Sequence, residues 1–339
     1  MKRKALLISL SIITIVIIVA GAYLAPLYFS KYPHLETTIY IRPDMTKDQL
    51  ADSLKINLGE KFGGQVSTVL NLLDVDATKQ VGCYKIKKNA SPYQVARKLQ
   101  FGVQSPVRFA FNYTRTLEQF AEKASAKLLF SKEELLSLLQ DEEFCKKFDK
   151  TPQTICTLFA PDTYEFYWTV KPEDFVARFH TYYNKFWNEE RLNKAKEMKL
   201  TPNEVATIAS IVEEETAKSD ERPKVARLYI NRLRQGMLLQ ADPTVKFAIG
   251  DFSLRRIYSH MLKIDSHYNT YKYKGLPPGP IRFVSNSTLD AVLNAPQHNY
   301  IYMCAKEDFS GYHNFAVSYN DHLANARRYQ RELNRRNIK

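Results

Sequence analysis

One unbroken apolar run opens the chain, and helical and strand periodicities alternate after it. From Ala5 to about Phe29 there is no charged residue, and Ser9, Ser11 and Thr14 are the mildest interruptions. Roughly 25 apolar residues cross a bilayer with some tilt, which predicts a single membrane-spanning helix within residues 1–30. Lys2, Arg3 and Lys4 precede the run and predict a cytoplasmic N-terminus. Tyr23, Tyr28 and Tyr32 read as an interfacial aromatic belt. The run is long for the apolar core of a cleaved signal peptide, and no small-x-small site follows it. Residues after about 30 are therefore expected outside the cytoplasm.

Thr37–Ile41 alternates as a strand, and Pro43-Asp44 turns it into a short helix starting at Thr46. Val66–Leu73 is a second helical patch, Gly82–Ile86 a second strand, and Ser91–Leu99 a capped helix closing near Gly102. This order predicts a small module over residues 31–105. Val107–Asn112 reads as another strand, Ser131–Leu139 as a short charged helix, and Phe175–Met198 as an amphipathic helix whose aromatics form core. Asp220–Arg234 reads as a helix closed by Gly236, with Gln240, Asp242 and Pro243 in the loop beyond it. Asn286–Asn294 is a short helix, Tyr300–Cys304 and Gly311–Ala316 suggest a hairpin, and a basic helix runs from Asn320 to the end. The fold class is α+β, with a larger domain over residues 106–339.

The most informative stretch is Thr201–Thr216. Thr201 caps, Pro202 suits the first helical position, and Glu204 completes a capping box. Val205, Ile208, Ala209, Val212 and Thr216 recur at helical spacing as a buried stripe. Glu213, Glu214 and Glu215 follow one another at roughly 100° per residue, so they point in different directions. Glu214 falls nearly opposite the stripe and is expected in solvent. Glu215 lies one turn beyond Ile208 and Ile211, so its carboxyl leaves an apolar wall. Such a carboxyl stays protonated to higher pH, as a general acid requires.

The 339 residues carry a formal net charge of +13. Lys and Arg are spread along the chain, and no basic helix or aromatic-basic motif of the nucleic-acid-binding kind is present, which argues against a nucleic-acid binder and leaves solubility or affinity for an anionic polymer. Cys83, Cys145, Cys156 and Cys304 show no C-x-x-C spacing, and the seven histidines form no ligand set, so no metal is expected. Cys145 and Cys156 are close enough for a disulfide or are buried free thiols. No phosphate cup or placed lysine points to a cofactor.

Several motifs in order resemble the endolytic murein transglycosylase family (MltG, or YceG-like, proteins). They are Ser210-Ile-Val-Glu-Glu-Glu-Thr216, Glu221-Arg222, Ile230-Asn-Arg-Leu233, Leu239-Gln-Ala-Asp-Pro-Thr-Val245, Tyr268-Asn-Thr-Tyr271 and Gly275-Leu-Pro-Pro-Gly-Pro-Ile281. Thr116–Ala121 and Pro161-Asp-Thr-Tyr164 extend the match upstream, and the His-x-Phe at His313 and Tyr319-x-x-His322 extend it downstream. The chain departs from the pattern at Tyr113-Thr114, at Gln153–Thr157 and at Ser318.

The resemblance implies a LysM-like module at 31–105 and a catalytic domain at 106–339. The implied activity is endolytic cleavage of the MurNAc–GlcNAc β-1,4 bond in nascent glycan strands, leaving a 1,6-anhydro end. Glu215 is the implied catalytic acid, with Gln240, Asp242, Asn269, Tyr271, Asp162 and Tyr164 as substrate-binding candidates. His313 and His322 are weaker candidates for a base. Peptidoglycan strands are the implied partner, with peptidoglycan synthases as candidate neighbours at the cell membrane. A hydrolytic muramidase using Glu213, Asp162 or Asp242 as second carboxylate is the enzymatic alternative, and a non-catalytic glycan-binding scaffold is the other.

Overall fold

The computed structural model describes residues 2–254 and 256–336. The side chains of Lys2 and Arg3, read above as part of the orientation signal, and residues 337–339, read as the end of the last helix, lie outside what is described. The chain divides into two units, Met1–Phe109 with Lys127–Leu129 and Glu165–Val170, and Ala110–Ala126 with Phe130–Tyr164 and Lys171–Lys339.

The first unit begins with α1 (Lys2–Phe29). Its segment Leu6–Phe29 is long and apolar enough to cross a membrane. Ser11 Oγ and Thr14 Oγ1 each donate to the carbonyl four residues back at 2.9 Å, which satisfies them inside the helix. Leu27 is already core, and Tyr32 is 1% exposed with its hydroxyl bonded to Thr37 Oγ1. Tyr32 is therefore a packing residue and not part of an aromatic belt. Tyr28 stacks on Tyr93 at 4.7 Å.

Strand β1 (Glu36–Ile41), α2 (Lys47–Leu58), α3 (Glu60–Leu72), β2 (Gly82–Lys87) and α4 (Pro92–Gln100) follow. β1 and β2 pair antiparallel from Glu36↔Lys87 to Ile41↔Gly82. The alternation sends Ile39 and Ile41 inward onto Leu50, Leu54, Val66, Val95 and Leu99. Thr46 with Gln49 and Ser91 with Gln94 close capping boxes at the starts of α2 and α4. At Gly63 of α3 a Cβ would lie 2.3 Å from the Leu54 carbonyl oxygen, so the α2–α3 approach requires glycine.

β3 (Val107–Ala110) and β4 (Thr163–Phe166) pair with each other. Between them lie α5 (Leu117–Ser125), α6 (Lys132–Gln140) and α7 (Glu142–Lys146), capped by Thr116, Ser131 and Asp141. The stretch read as one helix over 175–198 is two, α8 (Pro172–Phe186) and α9 (Glu189–Glu197), because Trp187 leaves the helical region and Asn188 caps a new start. Phe175 and Phe179 of α8 are fully buried with Phe111, Phe120, Phe159 and Phe283, as core.

The second unit is built around α10 (Pro202–Glu215), which packs against α9, α11 (Arg222–Arg234), α12 (Asp242–Ile249) and α13 (Asn286–Leu293). β5 (Tyr302–Ala305) and β6 (His313–Ala316) form the expected antiparallel hairpin, backed by α14 (Tyr319–Arg335). Among the described residues the strands form only three two-stranded sheets, so the architecture is mixed but dominated by helices. All four cysteines are free, with Cys83, Cys145 and Cys156 buried.

Candidate active site

Helix α10 starts as its sequence dictates. Thr201 N donates to Glu204 Oε2 at 2.7 Å, and Glu204 N donates to Thr201 Oγ1 at 3.2 Å. Every residue from Val205 to Val212 is buried, not only one stripe. The three glutamates thus emerge at the end of an enclosed helix, and each finds a different partner.

The expectation of a solvated Glu214 is overturned. Arg115 grips its carboxylate with Nε at 3.1 Å and Nη2 at 2.9 Å, and Arg282 Nη1 adds a bond at 2.8 Å. A helix covered on all sides has no free face, so an acid there is retained by pairing. Glu213 accepts from the backbone N and Oγ of Ser285 at 3.2 and 3.1 Å, which ties the end of α10 to the start of α13.

Of the three, only Glu215 lines a pocket of about 240 Å³, whose walls come from α11, Gln240 and the start of α12, the turn at Tyr271, and the β5–β6 hairpin. Tyr229 Oη donates to Glu215 Oε1 at 2.8 Å. Burial pushes the Glu215 carboxyl up to about 7, with the Asp242 charge adding to it. The Tyr229 hydrogen bond is the largest effect opposing the rise, and His313 and Arg232 oppose it further.

Two sequence motifs are sewn together to form one wall. Gln240 N donates to the Thr270 carbonyl at 3.1 Å, Ala241 N to Thr270 Oγ1 at 3.0 Å, and the Thr244 and Thr270 hydroxyls bond at 2.8 Å. Gln240 holds φ 51°, a left-handed conformation costly for a side chain other than glycine. Asp242 and Pro243 open α12 and are not loop residues, since proline at the second position suits a helix start. Tyr271 Oη donates to Asp242 Oδ1 at 2.6 Å.

Asn269 sits behind that wall. It is fully buried, its Nδ2 donates to the carbonyls of Leu262 and Ile264, and its Oδ1 accepts from Tyr271 N at 3.0 Å. Below, Ile281 N donates to Ser210 Oγ at 3.0 Å, joining the proline loop to α10. In that loop Gly279 is close to the Gln153 carbonyl oxygen, which would stand 2.1 Å from a Cβ.

Asp162 and Tyr164 are not among the residues lining this pocket. Asp162 Oδ1 accepts from Thr163 N at 2.6 Å, and Tyr164 Oη donates to the Ala160 carbonyl at 2.7 Å. The Tyr164 ring packs 4.6 Å from Phe179, in the aromatic core. Of the seven candidates, Glu215, Gln240, Asp242 and Tyr271 share the pocket, and Asn269, Asp162 and Tyr164 do not line it.

The model of the YceG-like family matches residues 39–328. The chain belongs to the YceG-like family. Among curated relatives, an endolytic murein transglycosylase of Bacillus subtilis is 32% identical over 248 residues, covering 68% of each chain. An endolytic murein transglycosylase of Streptococcus pneumoniae is 28% identical over 255 residues, covering 67% of this chain and 46% of the relative. The crystal structure of a YceG-like protein from Listeria monocytogenes superposes with a TM-score of 0.58 at 25% identity, covering 85% of this chain and 98% of that one.

Three pocket contributors of this YceG-like chain had no assigned role at the level of sequence. Tyr229 reads as one more aromatic in a helix, and only its hydroxyl contact to Glu215 sets it apart. Arg232 falls in the matched Ile230–Leu233 run. It is nearly buried, with Nε donating to the Ile301 carbonyl and Nη1 to the Leu239 carbonyl. A buried arginine in a motif was the available signal. Glu221 does not line the pocket but holds His313, which does: Glu221 Oε2 lies 2.8 Å from His313 Nδ1. His322 instead stacks on Tyr302 at 5.3 Å. Among the described residues no group of three or more His, Cys, Asp or Glu is arranged to hold a metal ion.

Proposed function

We propose that this protein is an endolytic peptidoglycan lytic transglycosylase, with Glu215 as the acid. The observation that carries the reading is the recessed Glu215 carboxyl, which shares a pocket with Gln240, Asp242 and Tyr271 and is held protonated to about 7. The similarity to relatives named as endolytic murein transglycosylases supports it. Glu215 gives its proton to the oxygen that leaves C1 of N-acetylmuramic acid. The muramyl 6-hydroxyl closes on C1, so the nucleophile belongs to the substrate, one acid suffices, and no water is consumed. The ionised Glu215 is one acceptor for the hydroxyl proton. Gln240, Asp242 and Tyr271 bind the sugar, and Asn269 holds the Tyr271 turn in place. For Asp162 and Tyr164 the contacts favour a supporting role behind the cleft.

The catalytic domain is residues 106–339. Residues 31–105 are a LysM-like module, a reading supported by the order β1-α2-α3-β2 with antiparallel strands. Residues 1–30 anchor it to the cell membrane with the N-terminus cytoplasmic, placing the active site beside peptidoglycan synthases. A hydrolytic muramidase is the second reading, favoured by one observation: Asp242 lines the same pocket as Glu215, and two carboxylates are what glycoside hydrolysis uses. Mass spectrometry of glycan fragments decides between them. Transglycosylation leaves ends lighter by one water than hydrolysis does. Hydrated reducing ends alone exclude the lytic reaction.

A further inference from the structure

The segment that follows Glu215 builds a second reactive group into the same pocket. Thr216, 2% exposed, leaves α10 in an extended conformation and donates from Oγ1 to Glu221 Oε2 at 3.0 Å. Glu221 is the N-cap residue of α11, 6% exposed, and its side chain makes no capping hydrogen bond to that helix. Its carboxylate is instead spent on the first residue of β6. Oε1 accepts from the His313 backbone N at 2.8 Å, and Oε2 is 2.8 Å from His313 Nδ1. A buried carboxylate next to Nδ1 keeps a proton on that nitrogen, which leaves Nε2 as the acceptor whenever the ring is neutral. The ring lines the pocket that contains Glu215. Glu221 is not among the pocket's lining residues, so its contacts are to the histidine and to the end of α10.

We propose that His313 is the base of the reaction and Glu221 its positioning residue, which divides the acid and base work between two side chains. The proposal rests on the transglycosylase reading of the pocket. As Glu215 protonates the leaving oxygen and the C1–O4 bond breaks, the 6-hydroxyl oxygen bonds to C1 and its proton passes to His313 Nε2. The products are an anhydro end, an ionised Glu215 and an imidazolium paired with Glu221. The imidazolium proton returns to Glu215 through solvent in the pocket, so the cycle consumes nothing. The arrangement removes a difficulty of the single-carboxylate scheme, in which one group must release a proton on one side of C1 and collect another from the ring's own hydroxyl within one step.

The test uses the full chain acting on purified glycan strands, with kcat, KM and thermal unfolding measured together. His313→Asn keeps an amide donor at the place of Nδ1, and so the Glu221 contact, but has no acceptor at the place of Nε2. It lowers kcat by about 100-fold or more, the scale of a lost acid–base group, with KM within about threefold. Glu221→Gln offers an amide donor to Nδ1, favours the other tautomer and gives a comparable kcat loss, as expected when an orienting carboxylate is neutralised. Imidazole added to His313→Gly restores part of the rate. A His313→Asn protein with wild-type kcat overturns the proposal. A wild-type measurement covers variants that fail to fold: nitrogen-15 shifts of His313 report the Nδ1–H tautomer, and an Nε2–H tautomer overturns the proposal. Inactive Glu215→Gln beside a fully active His313→Asn refutes only the role of His313. A wild-type enzyme yielding no anhydro ends refutes the reading of the pocket itself.

Discussion

Tyr229 Oη donates a hydrogen bond to Glu215 Oε1 across 2.8 Å, at the junction of α10 and α11. The bond favours the ionised carboxylate and so counteracts the burial that pushes Glu215 up to about 7. Without it the carboxyl would hold its proton more tightly and be a weaker acid. The pair sets how readily the proton is released.

Tyr229→Phe therefore moves the alkaline limb of the kcat/KM profile upward. Removal of a hydrogen bond to a charged group costs about 1.5 kcal/mol, equivalent to roughly one pH unit. A pH–rate series on both proteins measures it, and a downward shift contradicts the assignment.

Stability carries the same signature. Glu215 keeps its proton to about 7 in the folded chain, against an ordinary value of 4.5. Between those values the unfolded chain binds fewer protons than the folded one, so stability falls as pH rises through the window. Glu215→Gln removes that penalty. The variant and wild type unfold alike near pH 4. Near pH 8 the variant is the more stable by about 3 kcal/mol, measured by denaturant titration.

Glu214 predicts the opposite of what a solvated glutamate would. Glu214→Ala leaves Arg282, 6% exposed in its side chain, without its carboxylate, and frees Arg115. Breaking a buried pair on one side costs about 3 kcal/mol, whereas an exposed glutamate costs near zero. Urea unfolding distinguishes them.

The proline loop gives a test of close packing. Gly279→Ala places a methyl where the Gln153 carbonyl oxygen stands 2.1 Å away, so backbone has to move. A loss of about 2 kcal/mol is expected, on the scale of overpacking a core. Thermal unfolding measures it.

Much of this was legible in the chain. The capping box read at Thr201 is a local device that needs only its own side chains, and it closes; the structure shows the same device at Thr46, Ser91 and Ser131. Glu215 was singled out by two signals together, the family motif that places the catalytic glutamate directly before Thr216 and its position one turn beyond Ile208 and Ile211, which follows from helical geometry. Glu214 was misread for the same reason: periodicity gives direction on a helix but not what covers it, and Arg115 and Arg282 are 99 and 68 residues away. The break at Trp187 was missed although Asn188, followed by Glu189 and Glu190, marks a new helix start in the sequence. Asn269 carried the same motif signal as Tyr271, yet side chains two residues apart in a turn face different ways. Only the contacts of Asn269 with Leu262 and Ile264 show it acting as a brace.

The most direct measurement is the rate at which Glu215→Gln releases anhydro-ended fragments from purified glycan strands, compared with wild type at the same pH. Loss of a general acid lowers that rate by about 1,000-fold while the variant remains folded. A variant that cleaves at the wild-type rate removes Glu215 from the chemistry and contradicts the account.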